Sequence, residues 1–253
     1  MCFPADALPA VPKIRGAEVD HRHHTLHAAD SNEYLAFSAS GDRPGGPAVV
    51  VLPDVRGLFR FYEELALRFA EHGYDSVVID YFGRTAGLDA RDDDFDFMAH
   101  VRQTTQDGVR ADTAAAIDQL RTDAPERSVF TVGFCFGGSN SWHQAANGLG
   151  LTGAIGFYGH PNRSGMPIGS TPMISRVGAV ECPVLGLMGG DDPGIPESEV
   201  APFREALAAA GVGGGIITYP GTPHSFFDRT YQEHAAASAD AWQRILDFIG
   251  EFG

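Results

Sequence analysis

Cysteine is scarce in this chain: three residues in 253, namely Cys2, Cys135 and Cys182. The number is odd and no CxxC or zinc-ribbon spacing occurs. A disulfide framework and a cysteine zinc site are therefore excluded, and a reduced, cytoplasmic setting is expected. Positive charge is also short. Eighteen Lys and Arg stand against 33 Asp and Glu, for a formal net charge of −15. Such a surface repels phosphate backbones, so no nucleic-acid partner is expected, and an anionic substrate would need a local basic group. Long apolar runs are missing too. No stretch approaches the ~18 residues needed to span a bilayer. The opening Met1-Cys-Phe-Pro-Ala-Asp6 has no basic n-region, so neither a membrane partner nor a signal peptide is expected.

The remaining composition is that of an ordinary globular protein, with 43% hydrophobic and 20% charged residues. At this length a chain buries most of its apolar surface without a disulfide or metal staple. Residues 1–16 are rich in Pro and Ala and read as an irregular N-terminal segment. From 17 to 253 strand and helix patterns alternate. Two period-2 stretches, 18–27 and 33–38, read as a hairpin at a sheet edge. They contain His21, His23, His24 and His27; on a strand His21 and His23 face one side and His24 the other, so no metal site is expected there.

Buried strands are predicted at 47–53, 76–80, 128–132, 152–158, 183–188 and 215–219. Helices are predicted at 61–72, 104–120, 139–146, 197–210 and 233–252. Residues 159–180 are rich in Gly, Pro and Ser and read as loop. Residues 81–100 are irregular and acidic, either a solvated loop or a lid over a site. This alternation predicts one α/β domain, a mostly parallel sheet with helices on both faces.

One stretch stands out. Gly133-Phe-Cys135-Phe-Gly137-Gly138 lies between a strand and a helix. It has the spacing of a nucleophile elbow, G-x-S-x-G, with Cys in place of Ser. The helix N-terminus beside the tip favours a negative charge there, which a thiolate would supply.

Sites on open parallel sheets form at the carboxyl ends of strands. Those ends carry Asp54, Tyr81–Arg84, Cys135, Tyr158–His160, Asp191–Asp192 and His224. Nucleophile, acid and histidine occur in the chain order of an α/β-hydrolase triad. Cys135 is thus the candidate nucleophile, His224 the candidate base, and Asp192, rather than Asp191, the candidate acid. The oxyanion donors expected by position are the amide of Phe136 and one near Asp54–Val55. Tyr81, Phe82, Phe134, Phe136 and Tyr158 are candidate pocket walls.

These residues, with Leu52–Leu58, Asp80–Arg84, Gly189–Pro196 and Pro220–Phe226, resemble the dienelactone hydrolase family of α/β hydrolases, from about residue 17 to the C-terminus. The resemblance implies a Cys135–His224–Asp192 triad that hydrolyses small esters or lactones through a thioester, with no cofactor. It implies Val55 N–H as the second oxyanion donor. Family members often have Glu at the place of Asp54, where the carboxylate interacts with the resting thiol. The family enzyme for dienelactone binds the substrate carboxylate with two arginines. Arg84 matches one; the other falls at Asp228, with Arg229 next to it. Asp54, Arg84 and Tyr158 are accordingly the candidate substrate-binding residues. A monomer or homodimer is expected. The alternatives are a non-catalytic ligand-binding protein on the same fold, an acyltransferase, and a redox thiol protein. A complete ordered triad argues against the first. Cys182, placed before a strand, is no obvious resolving thiol for the last.

Overall fold

The computed structural model describes residues 7–42, 45–92 and 94–253. Cys2, most of the opening half of the 1–16 segment, and Asp93 of the acidic stretch lie outside the described residues. Eight strands form one sheet: β1 (Asp20–His27), β2 (Glu33–Ser40), β3 (Ala48–Leu52), β4 (Asp75–Ile79), β5 (Val129–Phe134), β6 (Gly153–Phe157), β7 (Val184–Gly189) and β8 (Gly214–Tyr219). Their order is β1-β2-β4-β3-β5-β6-β7-β8. β1 and β2 pair antiparallel, and β2 pairs antiparallel with β4. The pairs from β4 through β8 are parallel. The predicted hairpin, and the mostly parallel sheet, are what the chain builds. The extra antiparallel pairing of β2 onto β4 makes that hairpin an extension of the main sheet.

The helices are α1 (Arg60–Glu71), α2 (Gly83–Ala86), α3 (Phe97–Val101), α4 (Gln106–Arg121), α5 (Phe136–Gln144), α6 (Glu197–Ala209) and α7 (Ala235–Phe252). β3 shows how two cores arise. Side chains alternate across a strand, so Val49 and Val51 join Phe61, Leu65 and Phe69 of α1 and Ile245 of α7. Ala48, Val50 and Leu52 join Val109, Ala116 and Ile117 of α4 on the other face. A strand covered on both faces has no solvent side, hence its unbroken apolar sequence.

On β1 the same alternation sorts the histidines. His21 and His23 pack against Phe37, with ring centroids 5.7 and 4.9 Å away, while His24 Nε2 meets Ser38 Oγ at 2.8 Å. Two stretches read as loop hold short helices: α2 and α3 within 81–100, and a 3-10 turn at Met173–Ala179. Pieces of four to seven residues are too short to leave a clear 3.6-residue repeat. α5 starts at Phe136, three residues ahead of the predicted 139, because it begins at the elbow itself.

Candidate active site

The elbow is built by steric exclusion. Cys135 has φ 55° and ψ −110°, outside the regions open to most side chains. The chain can turn that sharply only if its neighbours lack side chains. A Cβ on Gly133 would lie 1.9 Å from the Gly137 carbonyl oxygen, and one on Gly137 would lie 2.0 Å from that of Leu52. Both glycines are therefore obligatory, and the turn lifts Cys135 over the carboxyl end of the sheet. Cys135 is half-buried and is not in a disulfide. Its own N–H is used, donating to Phe157 O at 3.0 Å. The amide of Phe136, at the first position of α5, has no intrahelical acceptor. Val55 follows β3 in a turn closed by Gly57 N–H to Asp54 O at 3.2 Å.

His224 comes down from the loop after β8. Its Nδ1 meets Asp192 Oδ2 at 2.6 Å, and the Cys135 side chain acts on its ring from the other side of the same cavity. Of the two adjacent acids it is Asp192, buried, that turns inward; Asp191 is exposed. The other oxygen of Asp192 accepts the Gly194 N–H at 2.8 Å. Burial works against a charged His224, but the hydrogen bonds and negative charge of Asp192 and Cys135 overturn it and push its pKa up to about 10. Asp192 shows the matching effect. Burial alone would raise it, yet the His224 hydrogen bond and charge, helped by the Gly194 and Ile195 amides, hold it below the ordinary carboxylate value.

Cys135, Asp192 and His224 share a cavity of about 200 Å³ with Phe136, Ser139, Tyr158, His160, Arg163, Met166, Gly194 and Ile195. Two larger concavities, about 460 and 440 Å³, lie along β1 and contain neither Cys135 nor His224. Chemistry, not size, therefore locates the site.

The structure does not bring every expected residue to this cavity. Arg84 lies outside its lining. The Arg84 guanidinium is held by Asp30 of the β1–β2 turn at 2.7 Å and by Asp112 on α4 at 2.5 Å. Asp54 is also outside, 6% exposed, accepting the Arg56 N–H at 2.8 Å with the Arg56 guanidinium 3.6 Å away. It makes no hydrogen bond to Cys135. The shorter side chain is captured by its own turn. Tyr81 spends its hydroxyl on Pro53 O at 2.9 Å, and Phe82 and Phe134 are fully buried core. Of the expected walls, Phe136 and Tyr158 line the cavity.

Ser139, Arg163 and Met166 were not singled out by sequence, whereas Gly194 and Ile195 lie in the Gly189–Pro196 turn that was. Arg163 and Met166 come from the 159–180 stretch, so among the described residues this segment, and not the 81–100 stretch, borders the cavity. Its place directly after β6 was the available signal. Phe95 of the acidic stretch packs instead on Phe82 and His100, with ring centroids 5.5 and 4.9 Å away.

Comparison with known proteins agrees with this architecture. Residues 34–253 match the model of the dienelactone hydrolase family. A carboxymethylenebutenolidase of Rhodococcus opacus is 28% identical over 100% of this chain and 97% of its own. A Salmonella typhimurium relative is 30% identical, covering 82% of this chain and 78% of its own. Among solved structures, a dienelactone hydrolase-like promiscuous phosphotriesterase from metagenomic libraries superposes with a TM-score of 0.75 at 23% identity, covering 94% and 99% of the two chains. Pyrococcus horikoshii acylaminoacyl peptidase gives 0.73 at 16%, covering 92% of this chain and 42% of that one. These last two are similarities of fold. The chain belongs to the dienelactone hydrolase family: it is an α/β hydrolase and an enzyme of the carboxylic ester hydrolase class.

Proposed function

We propose that this hydrolase cleaves small carboxylic esters or lactones through a thioester on Cys135. The observation that carries the reading is the convergence of Cys135, His224 and Asp192 on one cavity, with His224 Nδ1 2.6 Å from Asp192 Oδ2 and Cys135 at the tip of a strained elbow. The sulfur, as thiolate, attacks the ester carbonyl carbon. The oxygen, now negative, is received by the Phe136 and Val55 amides. As the C–O bond breaks, the proton on His224 passes to the departing alkoxide. Water then attacks the thioester carbonyl, His224 takes the water's proton, and the C–S bond breaks to release the acid and restore the thiolate. Asp192 holds the ring in register and balances its charge throughout. No step calls for a cofactor.

At about 200 Å³ the cavity lies below the usual range for drug-sized ligands, which supports a small acyl group. Arg163 joins the His224 imidazolium as a second cation of its lining. A thiol that attacks must remain reduced, which supports a cytoplasmic setting. No helix among the described residues is long and apolar enough to cross a membrane.

The test is hydrolysis of short aryl esters and a lactone panel by wild type, Cys135→Ala and His224→Ala, with mass spectrometry for the acyl adduct on Cys135. Loss of turnover in both folded variants is expected. Turnover surviving Cys135→Ala would sink the mechanism. Faster transfer to an added amine or alcohol than to water would redirect it to acyl transfer.

A further inference from the structure

The loop that delivers His224 carries a second acid that the chemistry above does not use. Asp228 is 4% exposed, four residues past His224. Its Oδ2 accepts the Tyr158 hydroxyl at 2.7 Å, and its Oδ1 accepts the Arg229 N–H. Tyr158 lines the cavity by its ring, whose centroid is 4.9 Å from that of His224. It does so from φ 35°, a conformation an L-residue keeps only when its surroundings impose it.

The groups facing Asp228 are Tyr158 from the end of β6, Asp54 from the end of β3 with Arg56 beside it, Tyr62 from α1, and His224 and Arg229 from its own loop. Burial is the largest influence and Asp54 adds to it, raising Asp228 to about 6; the Tyr158 hydroxyl, the Arg229 amide and the His224 charge pull the other way. A carboxylate under that pressure is a poor choice for stability alone, since a neutral group of the same shape would sit there at less cost.

We infer that Asp228 is a positioning residue for the reactive pair: it anchors the Tyr158 hydroxyl so that the ring braces His224, and it sets a negative charge behind the imidazolium. The Tyr158 hydroxyl is then turned away from substrate, and only its ring is a wall. The position where the family resemblance sets a substrate-facing arginine holds an inward-facing acid here. The inference rests on the hydrolase reading for its kinetic consequence, but not for its electrostatic one.

Asp228→Asn keeps an oxygen for the Tyr158 hydroxyl, gives up the acceptor of the Arg229 N–H and removes the charge. Tyr158→Phe and Asp228→Ala remove the hydrogen bond. Two readouts serve: the titration midpoint of His224 by NMR, and kcat and KM against pH on an aryl ester. The expected result is a lower His224 midpoint in Asp228→Asn. The two bond-deleting variants should lose kcat on the order of 10- to 100-fold, as misplacement of a reacting group does, with a much smaller change in KM. A His224 titration that superposes on wild type in Asp228→Asn, or kcat within twofold of wild type in folded Tyr158→Phe, would overturn the inference. The NMR titration needs no turnover, so it decides the matter even if the ester panel is inert. Turnover surviving Cys135→Ala would count against the Cys135 thioester mechanism alone. Should Asp228→Ala fail to fold, the other two variants still decide.

Discussion

Asp192→Asn swaps one carboxylate oxygen for an amide nitrogen and leaves the shape of the turn almost intact. Its effect can be worked from the structure. His224 stands at about 10 against an ordinary 6.5, and that rise is worth about 5 kcal/mol in favour of the imidazolium. With the ring 30% exposed, solvent screening trims the figure to roughly 3–4 kcal/mol. Asp192 supplies the leading hydrogen bond in that rise and Cys135 most of the rest. The variant should therefore return His224 part of the way toward 6.5 and free the ring to take the wrong tautomer.

The alkaline limb of kcat/KM then moves to lower pH, and kcat/KM drops on the order of 10³–10⁴-fold. Stability follows with a definite sign. A raised histidine contributes fully below 6.5 and loses that contribution as pH rises through 10. The lowered Asp192 contributes above 3.8 and loses it as pH falls through its depressed value. The stability difference between wild type and variant should thus be largest between about 4 and 6.5 and fade toward 10. Urea denaturation across pH, with NMR of His224 and pH–rate profiles, reads all three effects. A variant whose His224 still titrates near wild type, or whose kcat/KM stays within about tenfold of it, refutes the reasoning.

Gly137→Ala should fail to fold or lose several kcal/mol, because its methyl would meet the Leu52 and Pro53 carbonyl oxygens at 2.0 and 2.3 Å; soluble yield and a urea midpoint check this. Arg84→Ala should leave KM for anionic and neutral esters alike within about twofold, since Arg84 is engaged by Asp30 and Asp112, while costing on the order of 1–3 kcal/mol because Asp112 loses its partner in a buried setting. A KM rise confined to anionic esters would return Arg84 to the cavity. Asp228→Asn should be more stable than wild type at pH 8: burial raises Asp228 from 3.8 to about 6, so its ionisation costs about 3 kcal/mol above that range and nothing below 3.8. Equal stability of the two at pH 8 would contradict it.

Element order was readable wherever one physical rule dominated. β3, β5, β6 and β7 are covered on both faces and therefore read as solid apolar runs. Cys135 was readable because the steric demand of the turn is written in glycines two residues either side. The pairing of Asp192 with His224 followed from chain order. The partners of Arg84 and Asp54 were not readable. Asp54 follows β3 closely and Arg84 lies in α2, just past β4, but capture by Asp112 or by the Arg56 turn depends on where α4 and the 54–57 turn pack in space. The cavity wall from Arg163 to Met166 was hidden for the same reason: its composition is that of any surface loop. What brings it over Cys135 is a tie to the start of α4, through Ile168 N–H to Thr104 O at 2.8 Å and Gln106 N–H to Ile168 O at 2.9 Å.

Four non-glycine residues among those described have positive φ, and three of them surround the reactive pair: Cys135 at 55°, Tyr158 at 35° and Ser225, next to His224, at 61°. Each such conformation costs about 1–3 kcal/mol and lasts only where its surroundings enforce it. The enforcing contacts continue the sheet beyond its strands. Cys135 N–H bonds Phe157 O at the end of β6, and Tyr158 N–H in turn bonds Leu187 O on β7, at 3.0 and 2.9 Å. Asp191 N–H then bonds Thr222 O, in the loop that holds His224, at 2.9 Å. The backbones bearing Cys135, Tyr158, Asp192 and His224 are thus stitched to one another in strand order. A small shift of any one strand end would be passed to the others, which is why three strained residues can be kept in register at the same end of one sheet.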